Sequence, residues 1–374
     1  MKIKGPRIDP RPMPKNISIT RLVDEFMPAY NGARLREACQ LMTDKILRED
    51  VTVGLAVTGA LTPAGFGTSV LAPLINAGFI DYIVSTGANL YHDLHYALDL
   101  PLYMSSPSIN DLELRKHDII RIYDIVADFE ALLDTDRYVY KLLESDRLKG
   151  RMSTAKMHYE MGRLVTETEK KLKRPHPSLL SAAYKAGVPI YTSSPGDSTI
   201  GLNIAANWFK GKELEIDVSA DVNETTAIVF NATRGKNKSA VIILGGGSPK
   251  NFLLQTEPQI QEIMGLSERG HDYFIQITDA RPDTGGLSGA TPSEAVSWGK
   301  IDPSRLPDAV VCYADCALVL PILSAYVLAN AKRRKKKRLF PQMDKLMKKL
   351  SRAYKGIPLG GRPGTRPPSR KCRG

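Results

Sequence analysis

From Val51 onward, short runs of β-branched and aliphatic residues alternate with helical stretches: Val51 to Thr58, the helical Gly67 to Ala77, then Asp81 to Ser85. Such an alternation builds a parallel sheet, because each strand must be carried back by a crossover before the next can run beside it in the same direction. The pattern breaks at a charged, insertion-like region, Pro107 to Lys173, whose second half from Thr154 has helical spacing. It then resumes, with buried-strand candidates at Val188 to Thr192, Thr226 to Phe230, Ala240 to Leu244, Tyr273 to Thr278 and Ala309 to Cys312. Their nearly continuous apolar character suits a sheet covered on both faces. The expected fold class is α/β, a largely parallel sheet with helices on both sides.

Ahead of the sheet, residues 1–16 carry four prolines among basic residues and read as an extended arm. Ser18 or Thr20 can cap a first helix whose Leu22, Val23, Phe26 and Met27 share one face, and a second helix is expected from about Ala33 to Glu49. No repeat and no clean linker precedes residue 331, so residues 1–330 are expected to form a single domain, with the arm and helices over about 1–50. A basic, flexible tail over 331–374 follows.

The net charge of +12 suggests nucleic acid until it is divided along the chain. Seventeen of the 52 Lys and Arg, but only one of the 40 acids, Asp344, fall after residue 331. The body before them is slightly acidic. The tail is expected to be solvated, with contact to a polyanion as the other reading, since it has no aromatic platform. No apolar run approaches the roughly 18 residues needed to cross a bilayer, and the N-terminus lacks an apolar signal core, which points to the cytoplasm. Cys39, Cys312, Cys316 and Cys372 are too scattered for a disulfide framework, and neither they nor His92 and His95 suggest a metal site.

In open parallel sheets ligands gather beyond the carboxyl ends of the strands. Four expected turns there are rich in Gly, Ser and Thr: Thr58 to Gly65, Ser85 to Asn89, Thr192 to Thr199, and Gly245-Gly246-Gly247. Glycine permits close backbone approach, and hydroxyl and free N–H groups donate to phosphate. None of the four matches G-x-G-x-x-G with a following acid, and each alone reads more readily as a plain strand-to-helix turn. Together they point to a nucleotide.

The segment Asp279 to Lys300 concentrates Asp279, Asp283, Ser288, Glu294, Trp298 and Lys300 among several glycines. A lysine is a nucleophile only when uncharged, and burial beside an aromatic such as Trp298 favours that state. Taken alone, Gly299-Lys300 after a helix also reads as a solvated C-terminal cation. The nearby carboxylates could receive the ammonium groups of a polyamine.

The run Ser288-Gly289-Ala290-Thr291-Pro292-Ser293-Glu294-Ala295-Val296-Ser297-Trp298-Gly299-Lys300-Ile301 resembles the active-site signature of deoxyhypusine synthase. The likeness extends to Ile242 through Gly247, to Val311 through Asp315, and more loosely to the turns at Thr58, Ser85 and Asp197. The resemblance implies a Rossmann-like NAD domain, usually in a homotetramer with active sites between paired subunits. It implies a reaction in which spermidine is oxidised to an imine and its butylamine part is captured on a lysine, then passed to an acceptor amine. By position, Lys300 would be the nucleophile, Trp298 would line the polyamine channel, and Glu294 would be the substrate-side carboxylate. Thr58, Gly59, Ser85, Thr86, Gly87, Asp197, Gly246, Gly247, Asp279, Ala280, Ser288 and Asp315 fall in the turns or at the positions where the family contacts its dinucleotide. Gly59 stands where the synthases usually have serine.

Departures from the family pattern cluster on the substrate side. Asn251 replaces a histidine, Leu287 and Leu202 replace aspartates, and Tyr91-His92-Asp93 stands for a Glu-Glu-Asp run. A buried ammonium that loses its ionic partner is destabilised by several kcal/mol unless something replaces it. This pattern resembles the divergent synthase-like group, for which a small acceptor such as putrescine, giving homospermidine, fits better than a protein lysine. Deoxyhypusine synthase itself, acting on a translation factor, and a catalytically silent NAD-binding paralogue are the rival readings.

Overall fold

The protein is described by a computed structural model covering residue 5 and residues 7–356. Six parallel strands form the main sheet: β1 (Val51–Val57), β2 (Tyr82–Ser85), β3 (Ile190–Thr192), β4 (Lys238–Leu244), β5 (Tyr273–Thr278) and β6 (Ala309–Tyr313). Their spatial order is β6-β5-β4-β1-β2-β3. The chain therefore winds outward from β1 in one direction, then crosses to β4 and winds outward in the other. The junction of β1 and β4 is the topological switch point, where crossovers diverge and leave a crevice at the carboxyl edge. The four strands β1, β2, β4 and β5 are buried along almost their whole length, as their unbroken apolar runs require.

Helices α1 (Ile19–Phe26) and α2 (Tyr30–Leu41) lead into the sheet, α1 being capped by Ser18, which accepts from the Arg21 amide at 3.3 Å. The second helix ends in a wider π-type turn, Met42–Ile46, before β1. Crossover helices include α3 (Gly87–Ala97), α4 (Thr154–Lys171), α5 (Leu179–Ala186), α6 (Val218–Ala232), α7 (Gly247–Leu254) and α8 (Pro292–Ser297), and α9 (Cys316–Asn330) follows β6. The insertion-like region holds a small antiparallel sheet of Tyr103–Met104, Ile119–Ile122 and Ile125–Asp128, followed by a helix, Phe129–Leu143.

Two expectations are overturned. The run Thr226 to Phe230 is not a strand but the middle of α6, which packs between the sheet and a C-terminal helix, α10 (Met343–Lys355). Covered on both sides, it is apolar all round, and a short apolar run carries no period that separates strand from helix. The second correction concerns the basic segment, which is not a solvated extension as far as residue 356. Arg334 is only 7% exposed; its guanidinium donates to the carbonyls of Gly78, Arg48 and Val51 at 2.8–3.0 Å and to Asp81 Oδ2 at 3.0 Å. The planar fork of arginine satisfies four acceptors at the amino end of the sheet, something a charge count does not reveal. Beyond it, Met343, Leu346 and Leu350 of α10 are buried on one face while Lys345, Lys348, Lys349 and Arg352 stay exposed. The remainder of the expected tail, 357–374, lies outside the described residues.

Candidate active site

Every residue expected to touch a dinucleotide lies at the carboxyl edge of the sheet. Thr58 and Gly59 follow β1, Ser85 ends β2 and Thr86 caps α3, and Asp197 lies in the turn after β3. Gly246 and Gly247 follow β4, Asp279 and Ala280 follow β5, and Asp315 follows β6, where it caps α9 through the Leu318 amide at 2.9 Å. Hydrogen bonds tie neighbouring turns together. The Thr58 hydroxyl donates to the Gly246 carbonyl across the switch point, and Thr86 Oγ1 donates to the Gly59 carbonyl at 2.6 Å. Buried Asn89 locks the same turn: its side-chain oxygen accepts from Leu61 N at 2.8 Å while its amide donates to Gly59 O at 3.1 Å.

Two glycines here answer a steric demand. A Cβ on Gly246 would lie 2.4 Å from Ser288 Cα, and one on Gly87 would lie 2.3 Å from Ser198 Cβ. The Gly247 amide donates to Ser288 Oγ at 2.9 Å, which brings the segment carrying Lys300 against the switch-point turn. Gly59, at φ +69°, has no neighbour within 4 Å of a hypothetical Cβ and borders open space. Close-packed glycine turns, hydroxyls and helix starts around an open crevice form a donor-rich cradle that suits a dinucleotide.

Beside this edge lies a cavity of about 280 Å³ lined by Lys250, Asn251, Leu254, Gln255, Phe274, Leu287, Ala290, Thr291, Glu294, Ala295, Trp298 and Lys300. Helix α8 carries Glu294, and Trp298 and Lys300 follow at its C-terminal end. Thr291 caps it by accepting from the Glu294 amide at 3.2 Å, Pro292 occupies its first turn, and Gly299, left-handed at φ +68°, ends it. The Gly299 carbonyl accepts from Gln261 Nε2 at 2.8 Å, and the Lys300 carbonyl accepts from the His271 amide at 3.0 Å. The backbone of the lysine is thereby held on both sides.

Burial lowers the proton affinity of Lys300, while Glu262 and Glu294 oppose that effect. Trp298 stands beside that amine, its ring centroid 5.6 Å from Lys300 Nζ, and is itself 59% exposed. It stands at the C-cap of a six-residue helix and lines the cavity.

Of the substituted positions, Asn251 and Leu287 line the cavity. Leu202 does not, and is 63% exposed on the helix Thr199–Trp208. Tyr91, His92 and Asp93 turn away into the body: the Tyr91 hydroxyl donates to Asp136 at 2.7 Å, His92 Nδ1 meets His95 Nε2 at 3.2 Å, and Asp93 accepts from the Leu179 amide at 2.5 Å. Sequence reasoning missed Lys250 and Gln276. Lys250 looks like an ordinary surface lysine in Ser248-Pro249-Lys250-Asn251, and the one hint was its place one turn into the helix that starts at the three-glycine turn.

The family model for deoxyhypusine synthase matches residues 21–327. A deoxyhypusine synthase-like protein of Thermosynechococcus vestitus is 57% identical over 350 residues, covering 93% of this chain and 87% of its own. One of the same description from Nostoc punctiforme is 55% identical over 350 residues, covering 94% and 90%. Among solved structures, that of an Entamoeba histolytica protein named "putative deoxyhypusine synthase" superposes with a TM-score of 0.57 at 17% identity, covering 90% of this chain and all of that one, which supports the fold. With a matching family model across most of its length and relatives of this identity on either side, the chain belongs to the deoxyhypusine synthase family.

Proposed function

We propose that the protein is an NAD-dependent aminobutyl transferase that moves the butylamine group of spermidine to a small amine, most simply putrescine to give homospermidine. The carrying observation is the makeup of the cavity lining: among the described residues Glu294 is its one carboxylate, beside Leu254, Leu287 and the neutral Asn251, with Lys250 and Lys300 as its two basic side chains. A single acid with apolar walls suits a four-carbon chain bearing one ammonium at its far end. Glu294 would hold that ammonium, Trp298 would cover the methylenes, and Lys300 would supply the nucleophile.

NAD, held by the glycine turns at Thr58 to Gly59, Ser85 to Gly87 and Gly246 to Gly247 with Asp197, Asp279, Ala280, Ser288 and Asp315, would supply the oxidising equivalent that takes hydride beside the secondary nitrogen of spermidine and later returns it. The neutral Lys300 amine adds to the resulting imine carbon, and the carbon–nitrogen bond to 1,3-diaminopropane breaks as that amine leaves with a proton. The acceptor amine then displaces Lys300 in the same manner, and the hydride that bound NAD would hold would reduce the new imine. The net exchange consumes spermidine and putrescine and yields homospermidine and diaminopropane. A homotetramer in which a second subunit faces Trp298 would close the open side of the cavity.

Incubation of the protein with NAD, labelled spermidine and either putrescine or a translation-factor precursor separates the readings. Labelled homospermidine with unlabelled factor is the expected result. Labelled factor would instead identify a deoxyhypusine synthase, and unconsumed spermidine in both arms a silent paralogue.

A further inference from the structure

A second cavity, of about 220 Å³, adjoins the one that holds Lys300, and Gln255 belongs to the walls of both. Helix α6 contributes Val222 and Thr226 to it, α7 contributes Phe252, and the π-type turn Gln259–Ile263 contributes Glu262. Glu262 is the one charged residue lining this cavity among the described residues; it is exposed and makes no ion pair with any of them. The residue before it ties the turn to the lysine, since Gln261 Nε2 donates to the Gly299 carbonyl at 2.8 Å. Consecutive side chains of a helical turn do not share a face, so Gln261 grips the lysine segment while Glu262 lines the second cavity. Burial is the largest influence on Lys300 and lowers its proton affinity; of the two acids that oppose it, Glu262 acts more strongly than Glu294, although it stands in the other cavity's wall.

Transfer of an aminobutyl group through Lys300 needs two places for amines. One holds the carried group, whose ammonium is assigned to Glu294. The other is occupied in turn by the amine that leaves the imine carbon and the amine that attacks it, because the two steps are one exchange run in opposite directions. Diaminopropane and putrescine each react through one nitrogen and keep the other as an ammonium, alkylamines having an ordinary pKa of about 10. A carboxylate that accepts from such a cation makes a stronger hydrogen bond than a neutral oxygen does. We propose that the second cavity is the subsite for this far ammonium, with Glu262 as its acceptor. The inference rests on reading the protein as an aminobutyl transferase, and it adds what selects the acceptor: a short diamine brings a second cation to Glu262, and a monoamine does not. No bond is made or broken at the subsite.

Putrescine and n-butylamine, supplied together at equal concentration with the full chain, NAD and spermidine labelled in its butylamine part, compete for the same enzyme-bound imine. The ratio of labelled homospermidine to labelled N-butylputrescine is therefore independent of how fast that imine forms. The wild-type protein is expected to favour homospermidine. An exposed ion pair is a modest one, so Glu262→Gln is expected to lower the ratio by about fivefold, and the charge reversal Glu262→Lys by more. Glu294→Gln acts on the carried group and is expected to leave the ratio where it is. A ratio within about twofold of the wild-type value in both Glu262 variants would overturn the proposal, as would a fall in Glu294→Gln equal to that in Glu262→Gln. A wild-type protein that makes neither product contradicts aminobutyl transfer itself, and the subsite is then read by equilibrium dialysis of labelled putrescine without NAD or spermidine. Binding weakened by about fivefold in Glu262→Gln supports the subsite, and equal binding by the two proteins overturns it.

Discussion

Asp93 occupies the space that a side chain at residue 67 would need: a Cβ on Gly67 would lie 1.8 Å from its Oδ1. That oxygen is buried and has no hydrogen-bond partner within the described residues, and burial pushes the carboxyl up to about 7. A carboxyl whose folded value exceeds its unfolded one contributes stability that is fully present below the unfolded value of about 4 and is lost as pH rises through 7. Asp93→Asn, which cannot ionise, should therefore gain thermal stability relative to wild type as the pH is raised from 5 to 8, measured as the difference in melting temperature at the two ends. A constant difference would mean that Asp93 does not titrate in that window. In sequence this residue looked like part of an altered ligand-binding run, while the structure turns it into the body. Spacing along a helix gives the order of side chains but not which face meets the core. Lys300, Trp298 and Glu294 were legible because a long, specific run carries them, whereas Lys250 became visible only with the cavity it lines.

The C-terminal segment is the element that charge patterning misjudged. Lysine and arginine counts treat every cation as solvated, yet Arg334 closes the amino end of the sheet and α10 covers α6. Breaking a buried ion pair by removing one partner leaves the other charge unpaired and costs about 3–5 kcal/mol. Arg334→Met is expected to lower unfolding free energy in urea by roughly 3 kcal/mol because Asp81 is stranded. The double variant Arg334→Met/Asp81→Asn should recover part of that loss. A change of less than about 0.5 kcal/mol would place Arg334 with the ordinary surface cations. The strands of the sheet were legible because their apolar runs are short and bounded by turn residues. The α6 run Thr226 to Phe230 was not, since complete burial erases the helical period.

For the whole molecule, alternation of strand and helix foretold a parallel sheet, and the strand order adds the location of its crevice. The glycine turns and the cavity holding Lys300 meet where Ser288 touches Gly246 and Gly247, so the parts that the proposed reaction would use share one edge of the sheet. The acceptor was not legible, because Leu287 and Asn251 report which ionic partners are missing but not what replaces them. The central claim is that the amine of Lys300 forms an imine with an oxidised polyamine. Borohydride added during turnover with NAD and spermidine labelled in its butylamine part tests it directly. A label reduced onto Lys300, absent from Lys300→Ala, is the predicted result; turnover by the wild-type protein with no adduct at Lys300 would contradict it.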